Sequence, residues 1–512
     1  MANTNLTGLY VVASLAMTCM AAIAFAQAGS LDNAFGTGGK LIASLGNFGD
    51  EANAVAIQSD GKIVLGGNTR NSFTSSDFAL VRCNQDGTLD PAFGTGGKVI
   101  LSIDSRSSGA SLAIQSNGKI VQGGYSNWFI NLLRYNSDGT PDTTFGAGGS
   151  VITDIEGYYS EQCHSVVIQD NGKILVGGHG KHNSNDNPYF MLVRYNEDGT
   201  LDHTFGTDGI VIGGIGTGNS LAIQDDGKIL LGGASAYQFA LSRYHPDGTP
   251  DTAFGTGGAV ITPVGISGEA HSIGIQSDGK IVLAGYGYNN GSDAGFALVR
   301  YHEDGTLDAA FGAGGKVITN IGNGRAVGNS VGFQSDGKIL LGGNAVFDSN
   351  FSDFALVRYD SAGGLDNSFG LGGIVITPVG ASYSNGNALG IQQDGKIVLG
   401  GYAYNGTKTD MVVVRYDGDG VSGTEEPVTN RQNCSIYPNP FATAATLRFN
   451  TPVRKAQVSI CNAFGQEVNR IENVSGREIQ IFRNNLPAGI YFLQLREENK
   501  IISVEKLIIS EK

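Results

Sequence analysis

Charge is scarce in this chain. Asp, Glu, Lys and Arg make up 16% of its 512 residues, acids outnumber bases 47 to 33, and the formal net charge is −14. A surface so poor in cations excludes a nucleic-acid backbone or an anionic membrane as its main partner. Cysteine is nearly as rare, at five residues, one of them (Cys19) inside an apolar N-terminal run, so no disulfide framework is expected. Helical periodicity is almost missing, which excludes bundles and doubly wound folds. There is no H-E-x-x-H, no nucleophile elbow and no phosphate-binding glycine loop. After residue 26, no apolar run is long enough to span a membrane.

Glycine, by contrast, is abundant at 78 residues, far above the usual ~7%. Its placement is periodic. A [DN]-G-K-[IL] turn marks Lys62, Lys119, Lys173, Lys228, Lys280, Lys338 and Lys396; F-A-L-V-R-Y and its variants mark Arg82, Arg134, Arg194, Arg243, Arg300, Arg358 and Arg415. An [LP]-D-x-x-F-G segment marks Phe35, Phe93, Phe145, Phe205, Phe254, Phe311 and Phe369. Seven copies at a period of roughly 50–60 residues describe a unit that buries its apolar face only against its neighbours. Each copy reads as four strands: A-x-x-I-Q, K-I-V-L-G-G, F-A-L-V-R-Y, and a short strand after G-x-G-G. Asp-Gly and Asn-Gly dipeptides between strands predict tight type I′ hairpins. The expectation is an all-β chain, a seven-bladed β-propeller over residues 31–420.

The array begins at Leu31 with a fourth strand that lacks the three before it. It stops near Gly420 with a third strand that lacks its fourth. The two halves are complementary, so the N-terminal strand is expected to complete the last blade and close the ring. The first-to-second and third-to-fourth turns keep fixed lengths. The other two loops vary, and in an up-and-down blade they share one face, the expected binding face.

These seven copies resemble the delta-60 repeat, a bacterial propeller-type family whose likeness implies a fold and no activity. Residues 1–26 read as an export signal, with an apolar run from about Leu6 to Phe25 and Ala24-Phe25-Ala26 preceding Gln27. Residues 421–433 have linker composition. Residues 434–512 read as short alternating strands, a small β-sandwich. They carry Tyr437-Pro438-Asn439-Pro440-Phe441, Asn462-Ala463-Phe464-Gly465-Gln466-Glu467-Val468, Leu486-Pro487-Ala488-Gly489-Ile490-Tyr491 and a terminal Lys506-Leu507-Ile508-Ile509-Ser510-Glu511-Lys512. That segment resembles the C-terminal sorting domain of the type IX secretion system. The resemblance implies the type IX machinery as a partner and passage through the outer membrane of a Gram-negative bacterium. It further implies removal of the domain, then release or attachment to surface lipopolysaccharide.

Candidate chemistry divides into repeated and unrepeated residues. In F-A-L-V-R-Y the Arg alternates onto the same face as Phe and Leu, so it needs a buried acceptor. An Asp lies eight residues on in six copies: Asp90, Asp142, Asp202, Asp251, Asp308 and Asp366. Arg415 lacks one, and Asp32 of the orphan strand is expected to serve it. Chemistry identical in every blade indicates a structural latch rather than catalysis. The turn from Asn136 to Asp142 resembles a truncated calcium loop, but Arg134 stands where its first acid belongs, so a plain turn is expected. Cys163, His164, His179, His182 and Asp186 form the one unrepeated group of metal-ligand types, placed by this reading in variable loops, with a spacing that matches no known zinc signature. No metal or other cofactor is expected.

The variable loops carry aromatics that ring geometry does not require, among them Phe73, Trp128, Tyr288 and Tyr404. Trp128, Tyr288 and Tyr404 are the expected ligand contacts, because Asn- and Gly-rich loops offer little else to bury them. The leading function is a secreted or cell-surface binding module for a carbohydrate or protein ligand. Two alternatives stay open: a glycoside hydrolase or lyase whose paired acids come from separate loops, and a purely structural surface protein.

Overall fold

Asp-Gly and Asn-Gly punctuation cuts the repeat region into alternating runs, and in a computed structural model these runs form seven four-stranded antiparallel sheets. The structure describes residues 27–510 apart from 73, 291–292, 323, 349–350, 420–433, 463–466 and 498–499. The expected export signal, the linker and Phe73 lie outside the described residues. Blade 1 shows the plan. Its strands are β2 (Gly49–Ile57), β3 (Ile63–Arg70), β4 (Ser76–Cys83) and β5 (Lys98–Leu101), hydrogen-bonded in that order from the inside out. Inner strands of successive blades touch one another, and Ser384–Ile391 of blade 7 touches β2, so the ring is closed.

Closure uses the chain's own start. β1 (Lys40–Ala43) is the outer strand of blade 7, paired antiparallel with Thr409–Tyr416 in the register Lys40↔Val414 to Ala43↔Met411. The all-β, seven-bladed architecture read from the sequence is the observed one.

The inter-strand turns differ in type from the expectation. A type I′ hairpin needs positive φ at both central residues. In the turn after β2 only Gly61 is left-handed (φ 78°), and its N–H donates to Gln58 O at 2.8 Å. Gly139 (φ 87°) repeats this with Asn136 O at 2.9 Å. These are type I turns closed by a left-handed glycine, which adds the twist the strands need. The turn read as a truncated calcium loop is of this kind, with Asp138 Oδ1 accepting from Thr140 N (2.9 Å) and Thr140 Oγ1 (2.7 Å).

A feature of the inner strands explains the Gly-Gly of the second strand. Every inner strand carries a β-bulge at the same place, at Asn53, Ala110, His164, Asn219, His271, Asn329 and Asn387. The bulge drives the carbonyl two residues earlier against the second glycine. A Cβ at Gly67 would overlap Glu51 O, and one at Gly401 would overlap Asn385 O. The first glycine meets only neighbouring side chains, and blade 5 has Ala284 there.

The core lies between blades. One cluster joins Val121, Leu132 and Phe145 of blade 2 to Cys163, Val176 and Val193 of blade 3. Burying a large apolar side chain contributes roughly 1.5–3 kcal/mol, and all seven marker phenylalanines are fully buried. Each of the seven arginines lies 2.6–2.9 Å from its aspartate, including Arg415 with Asp32. The guanidinium also covers the marker Phe, as Arg82 covers Phe93 at 4.3 Å. Its Nη1 then reaches into the next blade, Arg194 donating to Pro246 O at 2.5 Å and Arg300 to Ser361 O at 2.6 Å. The buried ion pair therefore also staples blade to blade.

Residues 434–510 form a separate β-rich region with a core of its own, including Phe441, Leu447, Val458 and Leu493. Hydrogen bonds join its five strands into one continuous sheet. Two strands are longer than the alternation suggested, Ala444–Asn462 and Glu467–Phe482, with register shifts along their pairing. Bulges of this kind bend a sheet so that its faces enclose one core.

Candidate functional site

Loops between second and third strands meet loops between blades on one face. Ser76 N donates to Ser105 O (3.2 Å), Tyr159 N to Lys181 O (2.7 Å), and Gly268 N to Tyr237 O (2.7 Å). On this face a cleft of about 350 Å³ opens between blades 1 and 2. Blade 1 contributes Glu51, Asn68, Arg70 and Ser76. Arg106, Ser107 and Ser108 come from the start of the inner strand of blade 2, and Tyr125, Asn127 and Trp128 from its second hairpin.

Trp128 owes its position to a two-residue turn. Asn127 (φ 45°) and Trp128 (φ 75°) are both left-handed, the geometry in which Asn-Gly is ordinarily found. A bulky aromatic there is strained by about 1–3 kcal/mol, yet the residue is 41% exposed. The rings of Tyr125 and Trp128 are parallel within 5°, centroids 6.4 Å apart, and form a flat apolar step. Opposite them, Arg70 Nη2 lies 2.9 Å from Glu51 Oε1. Blade 4 repeats the turn with Ala236 (φ 49°) and Tyr237 (φ 61°), the latter 82% exposed.

Among the three expected contacts, Trp128 alone lines this cleft. Tyr288, in blade 5, is half-buried and packs edge-on against Tyr286 at 5.7 Å. Tyr404, in blade 7, stacks on Tyr383 at 5.1 Å and donates its hydroxyl to Gly406 O at 2.9 Å. Each ring is thus tied to a neighbour in its own blade. Glu51, Arg70 and Arg106 escaped the sequence reading, whereas Tyr125 is one of the variable-loop aromatics it counted without choosing it as a contact. The available signal was a cation at Arg70 and Arg106 in segments where most other copies have none.

The unrepeated Cys/His group is not a loop cluster. Cys163 lies in the inner strand Ser160–Ile168, turned into the core and fully buried; burial pushes its thiol up to about 12. His164 and His179 stack at 5.0 Å. Burial pushes His164 down to about 4 and His179 to about 3, so both are neutral at pH 7. His182 instead stacks on Tyr158 at 4.3 Å, and Asp186 accepts from Asn183. Cys163 packs into the core between blades, whereas His164 is the bulged residue of that strand and stacks on His179. Among the described residues no group of three or more His, Cys, Asp or Glu is placed to hold a metal ion.

The bulged residues, polar in every blade but the second, which has Ala110, form a partial polar ring that sequence reading also missed. Asn53 donates to Gly109 O (2.9 Å), Asn219 to Ala270 O (2.9 Å), Asn329 to Gly386 O (2.8 Å) and Asn387 to Ala52 O (2.9 Å), each in the following blade. His271 bonds Asn329 Oδ1 at 3.0 Å. The signal was present in the copies as N or H before A-V, S-L, S-I, S-V or A-L.

Comparison with known families places a domain of unknown function (DUF5122) beta-propeller at residues 58–93, 115–145, 169–205, 224–254, 276–311, 334–369 and 392–421. It places a secretion system C-terminal sorting domain at residues 435–510. A search of curated protein sequences finds no match. Among solved structures the chain is similar to PorZ, a surface component of the type IX secretion system of Porphyromonas gingivalis, at 11% identity and TM-score 0.32, covering 89% of this chain and 68% of that one. It is also similar to a Dyadobacter fermentans protein of unknown function, at 13% identity and TM-score 0.38, covering 74% and 97%. A Lactobacillus plantarum protein matches at 15% identity and TM-score 0.40, covering 62% and 83%.

Proposed function

We propose that this chain, which carries seven DUF5122 beta-propeller repeats and a secretion system C-terminal sorting domain, is an exported binding module that captures a carbohydrate or protein ligand on its variable-loop face. The sorting domain directs export to the outer cell surface or beyond it. The observation that carries the binding reading is Trp128, a strained and exposed aromatic in a turn where glycine would cost nothing. Ring closure does not require it, since among the described residues blade 4 alone of the other blades holds an aromatic in an equivalent left-handed turn. Tyr288 and Tyr404 act as outlying stacking positions on the same face. A glycosidase working through two carboxylates is less well served, because the cleft lining supplies Glu51 alone, already tied to Arg70.

Trp128→Gly tests the reading. Glycine suits the positive φ, so the melting temperature should hold or rise slightly. Capture on an array of surface glycans and on a panel of host surface proteins should be lost. Tyr288→Ala and Tyr404→Ala, made separately, should weaken capture several-fold. Unchanged capture by Trp128→Gly would remove the cleft from the mechanism.

A further inference from the structure

The cleft lining holds more cations than acids. The chain as a whole carries a formal charge of −14, yet the lining holds two guanidinium groups, Arg70 and Arg106, against one carboxylate, Glu51. Arg70 is occupied by Glu51 at 2.9 Å. Arg106 is exposed, and among the described residues its guanidinium has no hydrogen-bond or ion-pair partner. Two lining hydroxyls already donate to backbone carbonyls, Ser76 to Ser107 O at 2.7 Å and Ser107 to Asp104 O at 3.2 Å.

From this we infer that the ligand is an acidic glycan, a sugar whose ring face lies on the Tyr125–Trp128 step while its carboxylate or sulfate is taken by Arg106. The inference rests on the cleft being the binding site. Its geometry suits such a group for three reasons. A flat apolar step matches the C–H face of a pyranose, and about 350 Å³ is the volume of a small-ligand site. A planar guanidinium pairs with a carboxylate or sulfate through two parallel N–H donors. Glu51, fixed by Arg70, remains an acceptor for sugar hydroxyls and repels an anion placed on the wrong side. A neutral sugar would leave Arg106 unused. An acidic peptide would satisfy Arg106 but has no use for the aromatic step.

The experiment is direct titration of the full chain with four soluble probes: an oligogalacturonate, a chondroitin sulfate oligosaccharide, a neutral cello-oligosaccharide and a poly-glutamate peptide. Wild type, Arg106→Gln and Trp128→Gly are compared. One or both acidic sugars should bind at least tenfold tighter than the neutral sugar, more weakly as salt is raised. Arg106→Gln should erase that tenfold preference and leave weak, salt-insensitive binding, and Trp128→Gly should abolish binding of every sugar. The uronate and sulfate arms identify which anion is read. Equal binding of neutral and acidic sugars, unaffected by Arg106→Gln, would overturn the acidic preference while leaving the cleft as a binding site. Binding of poly-glutamate alone would also overturn it. No sugar bound at all, with Trp128→Gly indistinguishable from wild type, would overturn the cleft reading itself.

Discussion

Asp50 and Glu161 hold the same place at the head of the inner strand in blades 1 and 3, facing Thr69 and Gly180 across the pairing. Both are fully buried. Asp50 accepts from Leu45 N (2.8 Å), Gly46 N (2.9 Å) and Thr69 Oγ1 (2.6 Å), and Lys408 Nζ lies 3.2 Å away. Glu161 has glycine in place of the threonine, and neither carboxyl oxygen meets a hydrogen-bond donor in good geometry. Burial, with Asp154 nearby, pushes its carboxyl up to about 7. The folded chain thus favours the protonated form of a group whose ordinary value is 4.5. A raised acid stabilises the fold fully below its unfolded value, and that contribution is lost as pH rises through the folded value. Stability should therefore fall between about pH 4.5 and pH 7–8, by about 3 kcal/mol at most. Glu161→Gln should flatten the melting temperature over this window and make the protein more stable than wild type at pH 8. Parallel melting curves for the two proteins across the window would show that Glu161 is paired in solution.

The inner-strand bulge makes a sharp demand on the second strand. In blade 4 a Cβ at Gly233 would overlap the carbonyl of Thr217, whereas one at Gly232 is crowded by a side chain, the end of Leu283 at 2.6 Å, with Ile273 at ordinary contact distance. Gly232→Ala should cost ~1 kcal/mol, the lower end for overpacking a core. Gly233→Ala must displace the inner strand and should cost ~3 kcal/mol or more. Chemical denaturation separates the two, and equal costs would mean that the bulge is not a fixed element. This is also where the limit of the sequence lies. Strand count, blade count and the closing strand were legible because Asp-Gly turns, two-residue alternation and the paired Arg and Asp marks are local to one copy. The bulge was not, because a single extra residue breaks the alternation that reveals a strand. The Asn/His ring escaped for the same reason, since its partners are backbone carbonyls of the next blade. The cleft needed Glu51 and Arg70 from one blade and Trp128 from another, a proximity that no spacing within a copy encodes. The Cys/His group misled because adjacency in sequence says nothing of the bulge: Cys163 packs into the core between blades while His164 is the extra residue.

A ring has no end except where the chain begins and stops, so closure is borne by one seam. There Asp32 accepts from Arg415 at 2.7–2.8 Å and from Lys396 at 3.0 Å, Arg415 covers Phe35 at 4.5 Å, and β1 supplies the outer ladder of blade 7. Burial alone would raise the Asp32 carboxyl, but the donors from Lys396 and Ala34 and the charge of Arg415 hold it below the usual carboxylate range. Removing residues 31–46 would leave Arg415 buried without an acid, take Phe35, Leu41 and Ala43 from the core cluster shared with blade 1, and bare the edge of Thr409–Tyr416. Breaking a buried pair by losing one partner costs roughly 3–5 kcal/mol, before the lost burial is counted. We predict that the deletion lowers the melting temperature by at least 10 °C and promotes edge-to-edge association. Because the seam is a strand added to an open edge, a synthetic peptide of residues 31–46 should bind the truncated chain and restore most of the lost stability. The same peptide carrying Asp32→Ala should restore much less, since its strand pairs but its latch is empty. A truncated chain that melts like the intact one, or rescue by the two peptides alike, would mean that the seam is not what holds the ring shut.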